Sequence, residues 1–212
     1  MPEMEWTRNG PYYPNLFGRI YLDAVEEVMG VHGMRAALRL GKLEHLIDHP
    51  PPNNLAKEFE FSDFAGLNQA IEEMYGPRGA RGLSLRAGRA TFAQGLKDVG
   101  PMVGIADRAF RLLPLGIKMK IGLRAMAQAF TLTSDQITRV DEEDECFVYT
   151  IERCPVCWER TADRPICYVA LGLLQEGLRW GSGGRQFRIF ENQCIAKGDP
   201  VCDFYIYKEP IA

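Results

Sequence analysis

Five cysteines at positions 154, 157, 167, 194 and 202 fall within one 49-residue stretch, and no other feature of this 212-residue chain restricts its fold as much. Cys154-Pro155-Val156-Cys157 has the two-residue spacing that lets a tight turn aim two thiolates at one ion. The N-terminus shows neither the basic start nor the apolar run of a signal peptide. No stretch of 18 uncharged apolar residues occurs anywhere. The chain is therefore expected to be a soluble cytoplasmic protein, where clustered cysteines serve as metal ligands or buried thiols rather than disulfides.

The neighbours of these cysteines sharpen that reading. Asp163 and Pro165 are expected to open a helix running to about Trp180, which puts Cys167 in its first turn. There the free N–H groups and the helix dipole favour a thiolate. Cys202 shares a strand face with Phe204 and Ile206 and so points inward. Glu191 alternates with Phe187 and Ile189, and a carboxylate facing the interior must be paired or metal-bound. On a flat strand Glu191 and Cys194 point to opposite faces, so they share one ion only if the strand ends or bulges near Asn192-Gln193. The expected metal site thus draws on Cys154, Cys157, Cys167, Glu191, Cys194 and Cys202. Cys146 reads as a core thiol.

The rest of the chain reads as an α+β domain, with a helical N-terminal half packed on a small antiparallel sheet and a crossing helix. We expect one domain over residues 1–212, with a helical part over 1–80, a core over 81–212 and the cysteine-rich site at 154–202. Helices are expected over 19–29, from Met34 to about Gly41, from Ser62 or Asp63 to Gly76-Pro77, and along Leu85 to Val99. A further helix carries Met119, Leu123, Met126, Ala127 and Phe130 on one stripe. The period then changes: Phe147, Tyr149 and Ile151 mark a strand, and 186–193 and 201–207 mark two more. Arg108, Arg111, Lys118, Lys120 and Arg124 form a basic segment, read first as a solvated helix face and second as a contact for a membrane or an anionic ligand. A net charge of −3 gives no reason to expect a nucleic-acid partner.

The stretch Pro165-Ile166-Cys167-x4-Gly172-x4-Gly177, followed by Glu191-Asn192-Gln193-Cys194-Ile195-Ala196-Lys197-Gly198-Asp199-Pro200-Val201-Cys202-Asp203-Phe204, resembles the signature of the 4-vinyl-reductase (4VR) domain. That family includes predicted hydrocarbon-binding proteins and the sensory domains of phenol-responsive activators, and its fold is related to subunits of the TRAPP trafficking complex. The resemblance implies a zinc site at Cys167, Glu191, Cys194 and Cys202. Cys154 and Cys157 are additions to the family pattern, and they admit a [4Fe-4S] cluster as the alternative cofactor. The resemblance also implies a hydrophobic pocket between helices and sheet, for which Phe92, Phe110, Met126, Phe130, Phe147, Tyr149, Trp158 and Tyr168 are the candidate lining, and a two-fold homodimer.

Three functions follow. The first is a binding or sensory module for a hydrophobic or aromatic small molecule, with a structural zinc. The second is an iron–sulfur or tetrapyrrole-pathway protein, which as an enzyme would reduce a vinyl group. The third is a trafficking-type adaptor whose basic segment touches a membrane. The first is preferred over an enzyme, because Gly76-Pro77-Arg78-Gly79 and Gly181-Ser182-Gly183-Gly184 match neither dinucleotide nor phosphate loops. The three histidines, at 32, 45 and 49, also lie far from the cysteines in sequence.

Overall fold

The computed structural model describes residues 10–98 and 112–211. The chain enters through a short strand β1 (Tyr12–Pro14), then a helix α1 (Asn15–Leu40) and a single turn α2 (His45–Asp48). Strand β2 (Lys57–Glu60) pairs antiparallel with β1. Next come α3 (Phe61–Asp98) and α4 (Leu115–Thr133). Strands β3 (Thr138–Glu142) and β4 (Cys146–Ile151) follow, then α5 (Tyr168–Gly181), β5 (Phe187–Gln193) and β6 (Cys202–Pro210).

Two glycines break the long helices. Gly30 (φ 74°) interrupts α1, and Gly76 (φ 66°) interrupts α3 just before Pro77. Both adopt the left-handed region that glycine enters without a Cβ penalty. Pro77 then lacks an N–H to continue the preceding helix and suits the first turn of the next.

Strands β3 to β6 form one antiparallel sheet in the order β3-β4-β6-β5. Every residue of β4 is buried, so it forms the floor of the core rather than a half-exposed strand. Phe147, Tyr149 and Ile151 share one of its faces with each other, and they pair with Ile206, Phe204 and Cys202 of β6. On the helical side α5 packs on α3 through two glycines. A Cβ on Gly88 would lie 2.1 Å from the Val169 carbonyl oxygen, and one on Gly172 would lie 2.2 Å from that of Leu85.

A second focus of the core joins α1 to the first half of α3. Tyr21 stacks on Phe64 with ring centres 4.1 Å apart. Its hydroxyl accepts a hydrogen bond from Asn68 Nδ2 at 2.8 Å. The same amide donates to the Phe64 carbonyl at 2.9 Å, so this buried asparagine has both protons satisfied. No helix among the described residues is long and apolar enough to cross a membrane.

Helix α5 starts at Tyr168, with Cys167 as its cap residue, rather than at Asp163 as the sequence reading has it. Residues 163–167 instead run as a bend and irregular backbone that lead into α5. The basic segment is described only from Leu112 onward, and Arg108 and Arg111 lie outside the described residues. Within it, Lys120 bonds Glu142 at 2.7 Å.

Candidate functional site

The loop after β4 carries Cys154 and Cys157, the cap of α5 supplies Cys167, the end of β5 supplies Cys194, and β6 opens on Cys202. The structure brings all five sulfurs together in the interior. Cys157 Sγ lies 3.3 Å from Cys167 Sγ and 3.5 Å from both Cys194 and Cys202 Sγ. Cys154 and Cys167 Sγ are 3.5 Å apart, and Cys167 and Cys202 are 3.7 Å apart. Cys146 stands apart, with its thiol 3.4 Å from the Glu143 carboxylate.

The bulge that the sequence required is present. The β5–β6 register is irregular between Glu191 and Gln193, which turns Glu191 and Cys194 toward the same point. Glu191 Oε2 accepts the Cys167 N–H at 2.9 Å, while its buried Oε1 has no partner. Two groupings of four ligand atoms result, each within 4.8 Å: Cys154, Cys157, Cys167 and Cys202, and Cys167, Glu191, Cys194 and Cys202. They share Cys167 and Cys202.

The loop from Cys194 to Cys202 is built around sulfur. Gly198 takes φ 98° to close the 3-10 turn Ile195–Lys197. The Asp199 carboxylate accepts the Cys194 N–H at 2.8 Å, and Cys202 Sγ accepts the Ile195 N–H at 3.3 Å. An N–H aimed at sulfur favours the thiolate over the thiol.

The electrostatics of the cluster are divided. Contact with Cys154 pushes Cys157 up, but contacts with Cys167, Cys194 and Cys202 pull it down further, to about 5. Contact with Cys157 likewise pushes Cys194 up, and Cys167 and Cys202 bring it down to about 6. Burial and the surrounding thiols drive Cys167 well above its usual range. Burial first, then the charge of Cys194, raises Glu191 to about 9. Like charges this close cannot all ionise in a dry interior unless a cation compensates them.

Glu72 of α3 ties this region to the helices. Its carboxylate accepts hydrogen bonds from Arg160 at 2.9 Å and from Arg164 at 2.7 Å. Arg160 also donates to the Val156 carbonyl within the Cys154–Cys157 loop at 3.2 Å, and its side chain is only 8% exposed. Replacing Glu72 with alanine leaves that guanidinium buried and unpaired. The expected loss in a urea melt is about 1.5–3 kcal/mol, the usual worth of a hydrogen bond to a charged group. A loss under ~0.5 kcal/mol would show that Arg160 finds water instead.

Beside the thiols, between α3, α4, α5 and the sheet, lies an apolar cavity of about 210 Å3. Phe92, Met126, Phe130 and Tyr149 line it, as do Cys154 and Val156, so one loop faces both the cavity and the sulfurs. Phe147, Trp158 and Tyr168 lie elsewhere. Phe147 packs in the sheet core under Lys208, Trp158 meets Phe61 edge-on, and Tyr168 sits under Arg81. Phe110 lies outside the described residues.

Sequence reasoning missed the wall supplied by the N-terminal part: Tyr13, Phe17, Ile20 and Tyr21 from β1 and α1, and Gln136 before β3. The Tyr13 hydroxyl donates to Gln136 Oε1, and Gln136 Nε2 donates to Thr138 Oγ1 at 2.7 Å. The aromatic run Tyr12-Tyr13-Pro14-x2-Phe17 was the available signal.

No protein-family model matches the chain, and no curated protein matches it. Solved structures do. An H-NOX protein mutant from K. algicida, solved with unliganded Fe(II), matches at 13% identity with a TM-score of 0.59, covering 94% of this chain and 97% of that one. The fold is that of an H-NOX domain. An H-NOX protein from S. oneidensis, also in an Fe(II) state, matches at 14% identity and a TM-score of 0.56, covering 91% and 95% of the two chains. An oxygen-binding H-NOX domain related to soluble guanylate cyclases, solved as its oxygen complex, matches at 11% and 0.57, covering 91% and 94%.

This corrects two expectations. The fold neighbours are H-NOX domains, not 4VR domains or TRAPP subunits; the resemblance is specific only over about residues 145–207 and loose over 83–99, whereas these structures match nearly the whole chain. The cofactor expectation of zinc, or alternatively a [4Fe-4S] cluster, is also overturned, because the matching structures include studies of haem redox potential and of haem distortion in the H-NOX family.

Haem, however, does not fit the residues of this chain. A haem iron needs an axial ligand, commonly histidine. His32, His45 and His49 are all exposed, none lines the cavity, and His45 is engaged with Asp63 at 3.0 Å. Burial holds Tyr13 and Tyr149 protonated, and the Tyr13 hydroxyl is already bonded to Gln136. Cys154, the cavity's one thiol, is packed against Cys167. At about 210 Å3 the space also falls below the ~300 Å3 at which ordinary ligand pockets begin.

Proposed function

We propose that this chain is a small-molecule-binding sensor domain that holds an apolar molecule, not haem, in the cavity between its helices and sheet. The cavity carries the reading. Protein interiors are close-packed, and an unfilled apolar void of this size costs on the order of a few kcal/mol. Its walls are aromatic and aliphatic, with small residues such as Gly95, Gly122, Ala129 and Gly177 where larger ones would close the space. The fold supports the reading, since the H-NOX structures include an oxygen complex.

Cys154, Cys157, Cys167, Glu191, Cys194 and Cys202 belong to the same proposal as the ligand set of a thiophilic cation that braces the cavity wall. The orphaned Glu191 oxygen and the crowded sulfurs support it. The cation and the apolar ligand occupy separate places in this reading, with the Cys154–Val156 loop between them.

Calorimetry with single-ring aromatics tests the reading. Micromolar to millimolar binding to the wild-type protein is expected, and Ala129→Trp, which fills the cavity, is expected to weaken it at least tenfold. Titration with hemin is expected to give no saturable one-to-one Soret band. Such a band would overturn the exclusion of haem, and absence of binding by any aromatic would overturn the cavity as the site.

A further inference from the structure

Inside the cavity nearly every polar group is already committed. Thr91 Oγ1 donates to the Ala87 carbonyl at 2.8 Å, which satisfies it within its own helix. Ser182 Oγ bonds the backbone of Arg179 and Arg185 at 3.3 Å. Tyr13 donates to Gln136, whose amide continues to Thr138. Each of these groups contributes shape to the wall while its donor is spent.

Tyr149 differs. It stands at the centre of β4, between Val140 of β3 and Phe204 of β6, on the face turned to the helices. It is 2% exposed and lines the cavity. Among the described residues its hydroxyl has no hydrogen-bond partner, and burial raises its pKa without any opposing contact, which keeps the proton on the oxygen. A phenol in an apolar wall is held best when an acceptor reaches its proton. Only what enters the cavity can supply the missing acceptor.

We propose that the Tyr149 hydroxyl is the polar anchor of the cavity, and that the ligand is a single-ring or short-chain apolar molecule carrying one hydrogen-bond acceptor, such as a carbonyl oxygen. The inference rests on the cavity being the binding site. Size sets the upper bound: a dry cavity of roughly 150 Å3 holds benzene, and this one, at about 210 Å3, adds room for a short substituent but not for a second fused ring system. Chemistry sets the rest. A phenol donor in a mostly apolar wall, whose Lys118 and Trp180 have contacts of their own, rewards one acceptor, and any further polar group on the ligand would be buried unpaired. Shape alone discriminates weakly among apolar ligands, whereas a buried hydrogen-bonding group discriminates strongly.

Acetophenone and ethylbenzene test this directly, since they share ring and length and differ in the carbonyl. In calorimetry on the full chain, acetophenone is expected to bind about threefold to tenfold more tightly, as a net hydrogen bond of roughly 0.5–1.5 kcal/mol dictates. Tyr149→Phe is expected to abolish that preference while ethylbenzene binds as before. Should the variant not fold, the infrared carbonyl stretch of acetophenone bound to the wild-type protein decides instead; a shift to lower frequency than in hexane is expected. Equal affinities for the two probes in the wild type, a preference that survives Tyr149→Phe, or an unshifted carbonyl band would overturn the anchor and leave the cavity reading intact. Failure of both probes to bind would overturn the cavity reading and the anchor with it.

Discussion

Replacing Gly172 with valine is expected to lower stability by about 3 kcal/mol or more, the upper range for forcing extra volume into a packed contact. The reason is that the obstacle is backbone. A Cβ at 172 would meet the Leu85 carbonyl oxygen at 2.2 Å and its carbon at 2.9 Å, and neither can rotate aside as a side chain would. The contact is reciprocal, because Gly88 on α3 meets the Val169 carbonyl at 2.1 Å. Separating the helices to admit a side chain would also move Phe92, Val169 and Leu174, which line the cavity, so ligand affinity should fall along with stability. Gly82 provides the control. It is exposed on the same helix, with nothing within 4 Å of its would-be Cβ. Gly82→Ala is therefore expected to stabilise by about 0.5–1 kcal/mol through helix propensity. Urea melts of the two variants check both signs, and a Gly172→Val protein within 0.5 kcal/mol of wild type would show that the helices are not in this contact.

How much of this was legible depends on how local the signal was. The break at Gly76-Pro77 was readable because both residues act on their own backbone. Strand β4 was readable from Phe147, Tyr149 and Ile151, but its burial on both faces was not, since that depends on what distant parts of the chain lay over it. The strands β1 and β2 escaped because they span three and four residues, one ending on Pro14 and the other reading Lys-Glu-Phe-Glu. Such pieces show no period long enough to recognise.

The thiol cluster was readable because ligand spacing along a chain constrains space directly, and the bulge at Glu191–Gln193 was deduced as a condition before it was seen. The cavity could not be read in this way. Aromatic and methionine stripes mark which faces turn inward, yet whether those faces meet or leave a gap is decided by where two helices cross. Here Gly88 and Gly172 fix the crossing, and small residues on α4 and α5 leave the gap unfilled. The fold itself was misassigned because the signature residues sample only the cysteine-bearing third, while the match to H-NOX structures spans nearly the whole chain.

The largest single loss is expected from Cys202→Ala. Its sulfur belongs to both ligand groupings and accepts the Ile195 N–H, and its side chain is wholly buried. If the sulfurs hold a cation, binding energy is also folding energy, because the unfolded chain offers no assembled site. Removing one shared ligand then strands four thiols and a carboxylate in a dry interior, and the cost is expected to be about 4 kcal/mol or more, in the range reached when a metal tie is lost. Cys146→Ala is the control: a thiol that is also buried, at 5% exposed against 0% for Cys202, and whose side-chain hydrogen bond among the described residues is to Glu143, outside both groupings. It is expected to cost about 1 kcal/mol, as an ordinary core truncation does. The decisive measurement pairs melting with elemental analysis of protein purified without chelator. Loss of a bound metal together with a steep fall in melting temperature for Cys202→Ala, and neither for Cys146→Ala, would establish the sulfur cluster as a cation mount. Two variants with equally small losses and no metal in the wild type would make the five thiols plain core, and would leave the Cys154–Val156 wall of the cavity held by Arg160 and Glu72 instead.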